Sequence, residues 1–267
     1  MELLGWLWRL FRYRKDLALV YEGGLNLVLG RKTTIAVTGM QGAGKTVLLD
    51  HLTGRALRPD YQPPGQSTRS ESYRIKDKRS RLIVDVVPGQ KANPRLLMLD
   101  ELFAGSKKVD LVLHIVANGF ATIRNEDARR ILIEDQGITT IDQLRAYQKA
   151  RELEDLAETC QFIRQAHRKN RAPTSMLVTM DKVDLYHDQL PAARRYYGTQ
   201  ADSPFAEQLR ETARSIGTDF FAWDAIPVCT RLEQYEWNGA VTKPQIRNGK
   251  RDKHLAELLS KIKEFCK

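Results

Sequence analysis

The sequence predicts an α/β fold, a mainly parallel sheet covered by helices on both faces, and three observations carry that expectation. Short apolar runs rich in β-branched residues alternate with longer segments whose apolar residues recur at helical spacing. The first such run, residues 33–38, passes directly into the glycine-rich loop Gly39-Met40-Gln41-Gly42-Ala43-Gly44-Lys45-Thr46, which opens a helix-like segment. The 267 residues suffice for one large domain with an ordinary core, or one domain and a short appendage.

Residues 1–20 place Leu3, Leu4, Leu7, Trp8, Leu10 and Phe11 on one face of a helical wheel and Arg9, Arg12 and Asp16 on the other. Such a helix either lies in a membrane interface or buries its apolar face on its own domain or a partner chain. It sets off an N-terminal amphipathic segment, 1–29, from a domain spanning 30–267. Residues 33–38 read as a buried strand, and 45–52, with Val47, Leu48, Leu49 and Leu52, as a helix closed by Gly54. The Pro-, Gly- and Ser-rich stretch 61–68 is a loop of the kind in which binding residues concentrate.

Strands are expected at 72–75 and 81–87 about the charged turn 76–80, a helix at 96–103 and a buried strand at 111–116. Residues 118–138 form an insertion, longer than most connections in a compact α/β domain. A long amphipathic helix at about 140–168 follows, carrying Leu144, Tyr147, Leu153, Leu156, Cys160 and Ile163. A strand at 175–179, a helix at 205–216, a short strand at 225–228 and a closing helix at 254–265 complete the series.

Composition narrows the class of protein. Apolar content of 42% and charged content of 28% are those of a soluble globular chain. A net charge of +10 favours an acidic partner, be it nucleotide phosphate, anionic lipid or nucleic acid. Cys160, Cys229 and Cys266 stand far apart with no paired cysteine or histidine, which excludes a disulfide framework or zinc site from the expectation. No signal-peptide pattern and no membrane-spanning apolar run occurs, so a cytosolic location is expected, with residues 1–20 as a possible contact to the cytosolic membrane surface.

Gly39, Gly44, Lys45 and Thr46 satisfy the spacing Gly, four residues, Gly-Lys-Ser/Thr. Glycines let the backbone wrap phosphate so that successive N–H groups of Gln41, Gly42, Ala43 and Gly44 point inward, and the following helix adds its positive dipole end. The Lys45 ammonium reaches the β- and γ-phosphates, and the Thr46 hydroxyl is a ligand for Mg²⁺.

Further polar clusters, in order along 31–266, resemble the remaining signatures of the P-loop GTPases, the translation-factor-related class with Era-like and Ras-like G domains. The resemblance implies GTP/GDP and Mg²⁺ as cofactors. Gln66-Ser67-Thr68-Arg69 resembles switch I, whose threonine, here Thr68, closes over Mg²⁺ and the γ-phosphate. Residues 82–90 resemble switch II, with Asp85 supporting the metal, Gly89 meeting the γ-phosphate and Gln90 orienting water. Three residues rather than two separate Asp85 from Gly89, so either the loop bulges or Pro88, which has no N–H, holds the glycine position.

Asp181-Lys182-Val183-Asp184 resembles the base motif Asn-Lys-x-Asp, in which the last carboxylate, Asp184, accepts from guanine and the Lys182 stem lies along the base. Asp181 replaces the asparagine, and a carboxylate cannot donate as an amide does. Cys229, Thr230 and Arg231 stand where Ser-Ala-Lys touches the base through backbone N–H.

The resemblance thus implies Lys45, Thr68 and Gln90 as the catalytic set and Thr46, Thr68 and Asp85 as the metal set. It describes a switch that hydrolyses GTP slowly and is read by a protein partner; a non-hydrolysing nucleotide-binding regulatory module and a P-loop ATPase remain as alternatives. Arg124, Arg129 and Arg130 in the insertion are either charge donors to the γ-phosphate, in competition with Arg69, or solvated surface. Nucleic acid is not an expected partner, since the basic clusters lack interleaved aromatic residues.

Overall fold

A computed structural model describes residues 33–57, 60–62, 71–77, 80–86, 93–104 and 108–266. The N-terminal segment 1–29 and the residues Thr68, Gly89 and Gln90 lie outside them. A six-stranded sheet forms the centre, in the order β2-β3-β1-β4-β5-β6. Its strands are β1 (Thr33–Thr38), β2 (Glu71–Asp77), β3 (Ser80–Val86), β4 (Leu111–Val116), β5 (Ser175–Met180) and β6 (Ala222–Pro227). Every pairing is parallel except that of the edge strand β2, which runs antiparallel to β3.

All six residues of β1, of β4 and of β5 are buried, as expected of parallel strands covered on both faces, and this is why they read as continuous apolar runs rather than alternating ones. Alternation reappears in which layer each residue meets. Ile35, Val37, Leu113, Ile115 and Leu177 pack with α1 (Lys45–Leu52) and the C-terminal helix, through Leu48, Leu49, Leu255, Leu258, Leu259 and Ile262. Ala36, Val112, Val116, Met176 and Val178 face the other way, into the larger core with α2 (Asn93–Ala104), the long helix and α6 (Pro204–Ile216).

The insertion read as loop contains a short helix, α3 (Glu126–Arg130), which runs into a π-helical turn at Ile131–Asp135. Asn125 caps it by accepting the Ala128 N–H at 2.8 Å, with Glu126 and Asp127 in the first turn and Arg129 and Arg130 in the last, the charge order a helix dipole favours. Five residues are too few to show a helical period, so the pattern was invisible in sequence. The long helix α4 (Ile141–Arg168) starts at a capping box, Thr140 accepting from Gln143 N–H while the Gln143 side chain accepts from Thr140 N–H.

Three further departures from expectation fall in short elements or at the polar start of a longer one. Helix α5 (Leu190–Tyr197) buries only Ala193 and Tyr197, and α7 (Asn248–Phe265) begins at Asn248 rather than 254 because its first turns carry no apolar residues. Strands β7 (Tyr235–Trp237) and β8 (Ala240–Thr242) form a separate hairpin about Asn238-Gly239, whose φ angles of 46° and 81° are those of a tight two-residue turn. Among the described residues no helix is long and apolar enough to cross a membrane.

Candidate nucleotide-binding site

The glycine-rich loop leaves β1 at the carboxyl edge of the sheet and ends in α1, the strand-loop-helix arrangement its spacing requires. Two of its glycines are fixed by close neighbours. At Gly42, φ is 76° and a Cβ would strike the Thr122 carbonyl oxygen; at Gly44, φ is 111° and a Cβ would strike the Asp181 carboxylate. The Gly42 carbonyl in turn accepts the Thr122 N–H at 3.1 Å. Lys45 folds over the loop, its Nζ donating to the carbonyls of Gly39 at 2.7 Å and Met40 at 2.9 Å. Burial pulls its ammonium down to about 8, against the opposing pull of Asp155. An incoming phosphate would replace those carbonyls as the acceptor. Thr46 follows in the first turn of α1, half-buried.

The turn after β5 carries the second half of the site. Asp181 is fully buried, and three donors converge on it: Lys182 N–H at 2.7 Å, Thr230 N–H at 2.9 Å and Thr230 Oγ1 at 2.8 Å. Burial raises its acid to about 6 in spite of those donors. Lys182 takes φ of 58°, and its Nζ donates to the Phe120 carbonyl and to Thr122 Oγ1, each at 2.7 Å. Asp184 accepts from Cys229 Sγ at 3.4 Å and from Glu233 N–H at 3.3 Å, while its own carbonyl accepts Gln245 N–H at 2.8 Å.

Asp184 was expected to turn its carboxylate to a base, with the stem of Lys182 lying along that base. The carboxylate is 1% exposed and joined to the 229–233 segment, and Lys182 reaches the 120–122 segment. Thr230 was expected to offer its N–H to the base; that N–H is held by Asp181.

Beneath the site lies a buried polar layer. Glu152 accepts Ala117 N–H at 2.9 Å, Gly119 N–H at 3.2 Å and the Tyr197 hydroxyl at 2.6 Å, holding the chain where it leaves β4. His114 meets Thr38 Oγ1 through Nδ1 at 2.9 Å and is kept neutral by burial, which pushes it down to about 3. Arg95 of α2 pairs with Asp155 and Glu158 of α4, both at 2.7 Å.

A family described as 50S ribosome-binding GTPase matches residues 34–179, more than half of the chain and the span that holds the phosphate loop and the strand before the base motif. The chain belongs to this family of GTPases.

Guanine nucleotide is therefore the ligand class of the family to which this GTPase belongs. No curated protein matches its sequence. Among solved structures it is similar to Toc33 from Arabidopsis thaliana in complex with GDP and Mg²⁺, at 12% identity over 95% of this chain and 91% of that one, with a TM-score of 0.48. It is also similar to Toc33 in complex with Mg²⁺ and GMPPNP, at 11% identity over 96% and 92% of the two chains, TM-score 0.43. A third is the signal recognition particle receptor SRb-GTP/SRX complex from Chaetomium thermophilum, at 14% identity over 75% and 94%, TM-score 0.44.

Of the metal and switch residues, Asp85 lies on β3 opposite Ala36 of β1, so the strand that carries it ends beside the phosphate loop. The insertion's arginines separate. Arg129 lies over the Trp237 ring at 5.3 Å and Arg130 bonds Asp127 at 3.0 Å, whereas Arg124 is exposed next to the segment that carries Thr122. Phe120, Thr122, His51 and Tyr235 were absent from the sequence reading of this GTPase. They reach the site through contacts distant along the chain, among them His51 Nε2 to the Thr230 carbonyl at 2.7 Å and the Tyr235 hydroxyl to the Ala121 carbonyl at 3.1 Å.

Proposed function

We propose that this GTPase is a guanine-nucleotide switch that hydrolyses GTP slowly with Mg²⁺. One observation carries the reading: the base-motif turn is locked to the phosphate loop, through Asp181 at Gly44 and through Thr122 between Lys182 and Gly42, so both halves of a nucleotide site keep a fixed spacing. Gly39, Gln41, Gly42, Ala43 and Gly44 supply the phosphate cradle, Lys45 its charge, and Asp184 the acceptor for guanine, with Lys182 alongside. Cys229 donates into Asp184 and Thr230 into Asp181, which supports this placement of the base motif.

Thr46, Thr68 and Asp85 are the side chains that would hold Mg²⁺, which supplies charge neutralisation on the phosphates when bound. Lys45, with Thr68 and Gln90, would stabilise and orient the reacting groups, and Gly89 would meet the γ-phosphate. Ordering of the segments around Thr68 and Gln90 would be read by a protein partner. We place the activity in the domain 30–267 and in the cytosol, with 1–29 as an appended amphipathic segment.

The test is an equilibrium titration with GTP, GDP, ATP and XTP on the wild-type chain and on Asp184→Asn. Guanine nucleotides should bind at least about tenfold tighter than ATP, and the variant should move its preference toward XTP, whose carbonyl stands where guanine has its amine. Equal affinity for ATP and GTP would make the ATPase reading the right one. The acceptor-only Asp181 also gives weight to a non-hydrolysing module; single-turnover GTP cleavage no faster than that of Lys45→Ala would establish it.

A further inference from the structure

The residue that departs from the base motif meets a side-chain donor across the site, the Thr230 hydroxyl at 2.8 Å. An amide at position 181 would present one accepting and one donating group; a carboxylate presents acceptors only. The surroundings of Asp181 fit the carboxylate. Lys182 N–H, Thr230 N–H and Thr230 Oγ1 all point at it at 2.7 to 2.9 Å. The first two are backbone groups that any sequence would supply; only the hydroxyl is a choice of side chain.

Thr230 is itself fixed from behind. His51, on the phosphate helix α1, donates from Nε2 to the Thr230 carbonyl at 2.7 Å, and burial keeps that ring neutral, at about 4. Asp181 meanwhile abuts Gly44 at the start of the same helix. A closed circuit of contacts results: α1 through His51 to Thr230, Thr230 to Asp181, and Asp181 back to the phosphate loop.

We infer that Asp181 and Thr230 are an interdependent positioning pair, in which the threonine hydroxyl satisfies the carboxylate that stands in the asparagine position and so holds the guanine-reading turn against the phosphate loop. The inference rests on the guanine-nucleotide function proposed above. Without the hydroxyl, a buried carboxylate beside an anionic ligand loses the side-chain donor it has among the described residues. With asparagine at 181 there is no charge to satisfy, and the hydroxyl matters much less.

A double-mutant cycle tests this, with mant-GDP affinity measured on wild type, Thr230→Val, Asp181→Asn and the double variant. Valine keeps the shape of threonine and both backbone contacts. Its introduction should weaken binding at least about tenfold beside Asp181 and less than about threefold beside asparagine, so that Asp181→Asn rescues the valine variant. A loss of equal size in both backgrounds overturns the pairing while leaving guanine-nucleotide binding intact. Failure of the wild-type chain to bind mant-GDP overturns the function and the positioning role together. Rescue also separates the pair from misfolding, since a valine that merely unfolds the loop would not be restored by a change at 181.

Discussion

Asp181 carries the electrostatic tension of the site in a single side chain. Its acid is raised from 3.8 to about 6 by burial, so between those values the folded state binds more protons than the unfolded one. The sign follows: the contribution of Asp181 to stability is fully present below about pH 4 and is lost as pH rises through about 6. Asparagine does not titrate. Asp181→Asn should therefore gain on the wild type as pH goes from 5 to 7.5, by about 1 kcal/mol in urea unfolding of the nucleotide-free protein. A difference that stays constant across that range would mean the carboxylate is not strained by burial. The identity of this residue was legible in sequence as a departure from Asn-Lys-x-Asp, but its partners were not. Thr230 and His51 lie 49 and 179 residues from the groups they bond, a separation no local pattern records.

At the scale of elements, legibility followed length and apolar period. The strands β1 and β4 were read with their observed limits because a parallel strand buried on both faces is a continuous apolar run. The phosphate helix was bounded as well, by its loop and by Gly54. Helix α5 was missed because it is only eight residues long, and the start of α7 because its first turns are mostly charged, while Asn238-Gly239 held a hairpin signal that two very short strands left without context.

The join between α2 and α4 is the element contact with most at stake. Arg95 is wholly buried and shared by Asp155 and Glu158, and α2 follows directly on the segment that resembles switch II. Arg95→Ala should destabilise the protein by about 3 kcal/mol or more, because removing one partner leaves buried carboxylates uncompensated. Thermal or urea unfolding checks this, and a loss below about 1 kcal/mol would show that the pair is only as strong as a surface ion pair.

For the molecule as a whole, we propose that the net charge of +10 and the aromatic and basic residues of 1–20 serve contact with an anionic surface. Co-sedimentation with liposomes containing anionic lipid should be strong for the full chain, should fall on deleting 1–20, and should weaken in salt. Equal binding with and without those residues would return them to the role of a packed or partner-bound helix. The two halves of the proposed nucleotide site also differ in how much of the chain they need. The phosphate loop is complete by Thr46, and the contacts that brace it from β4 and the 120–122 segment are present by mid-chain. Asp184, by contrast, takes its partners from Cys229, Glu233 and Gln245, and the 120–122 segment is pinned by Tyr235. The phosphate loop is not independent of that late segment, since Asp181 abuts Gly44 and Lys182 holds Thr122 against Gly42, so a chain cut before residue 229 should lose its grip on phosphate together with its reading of the base.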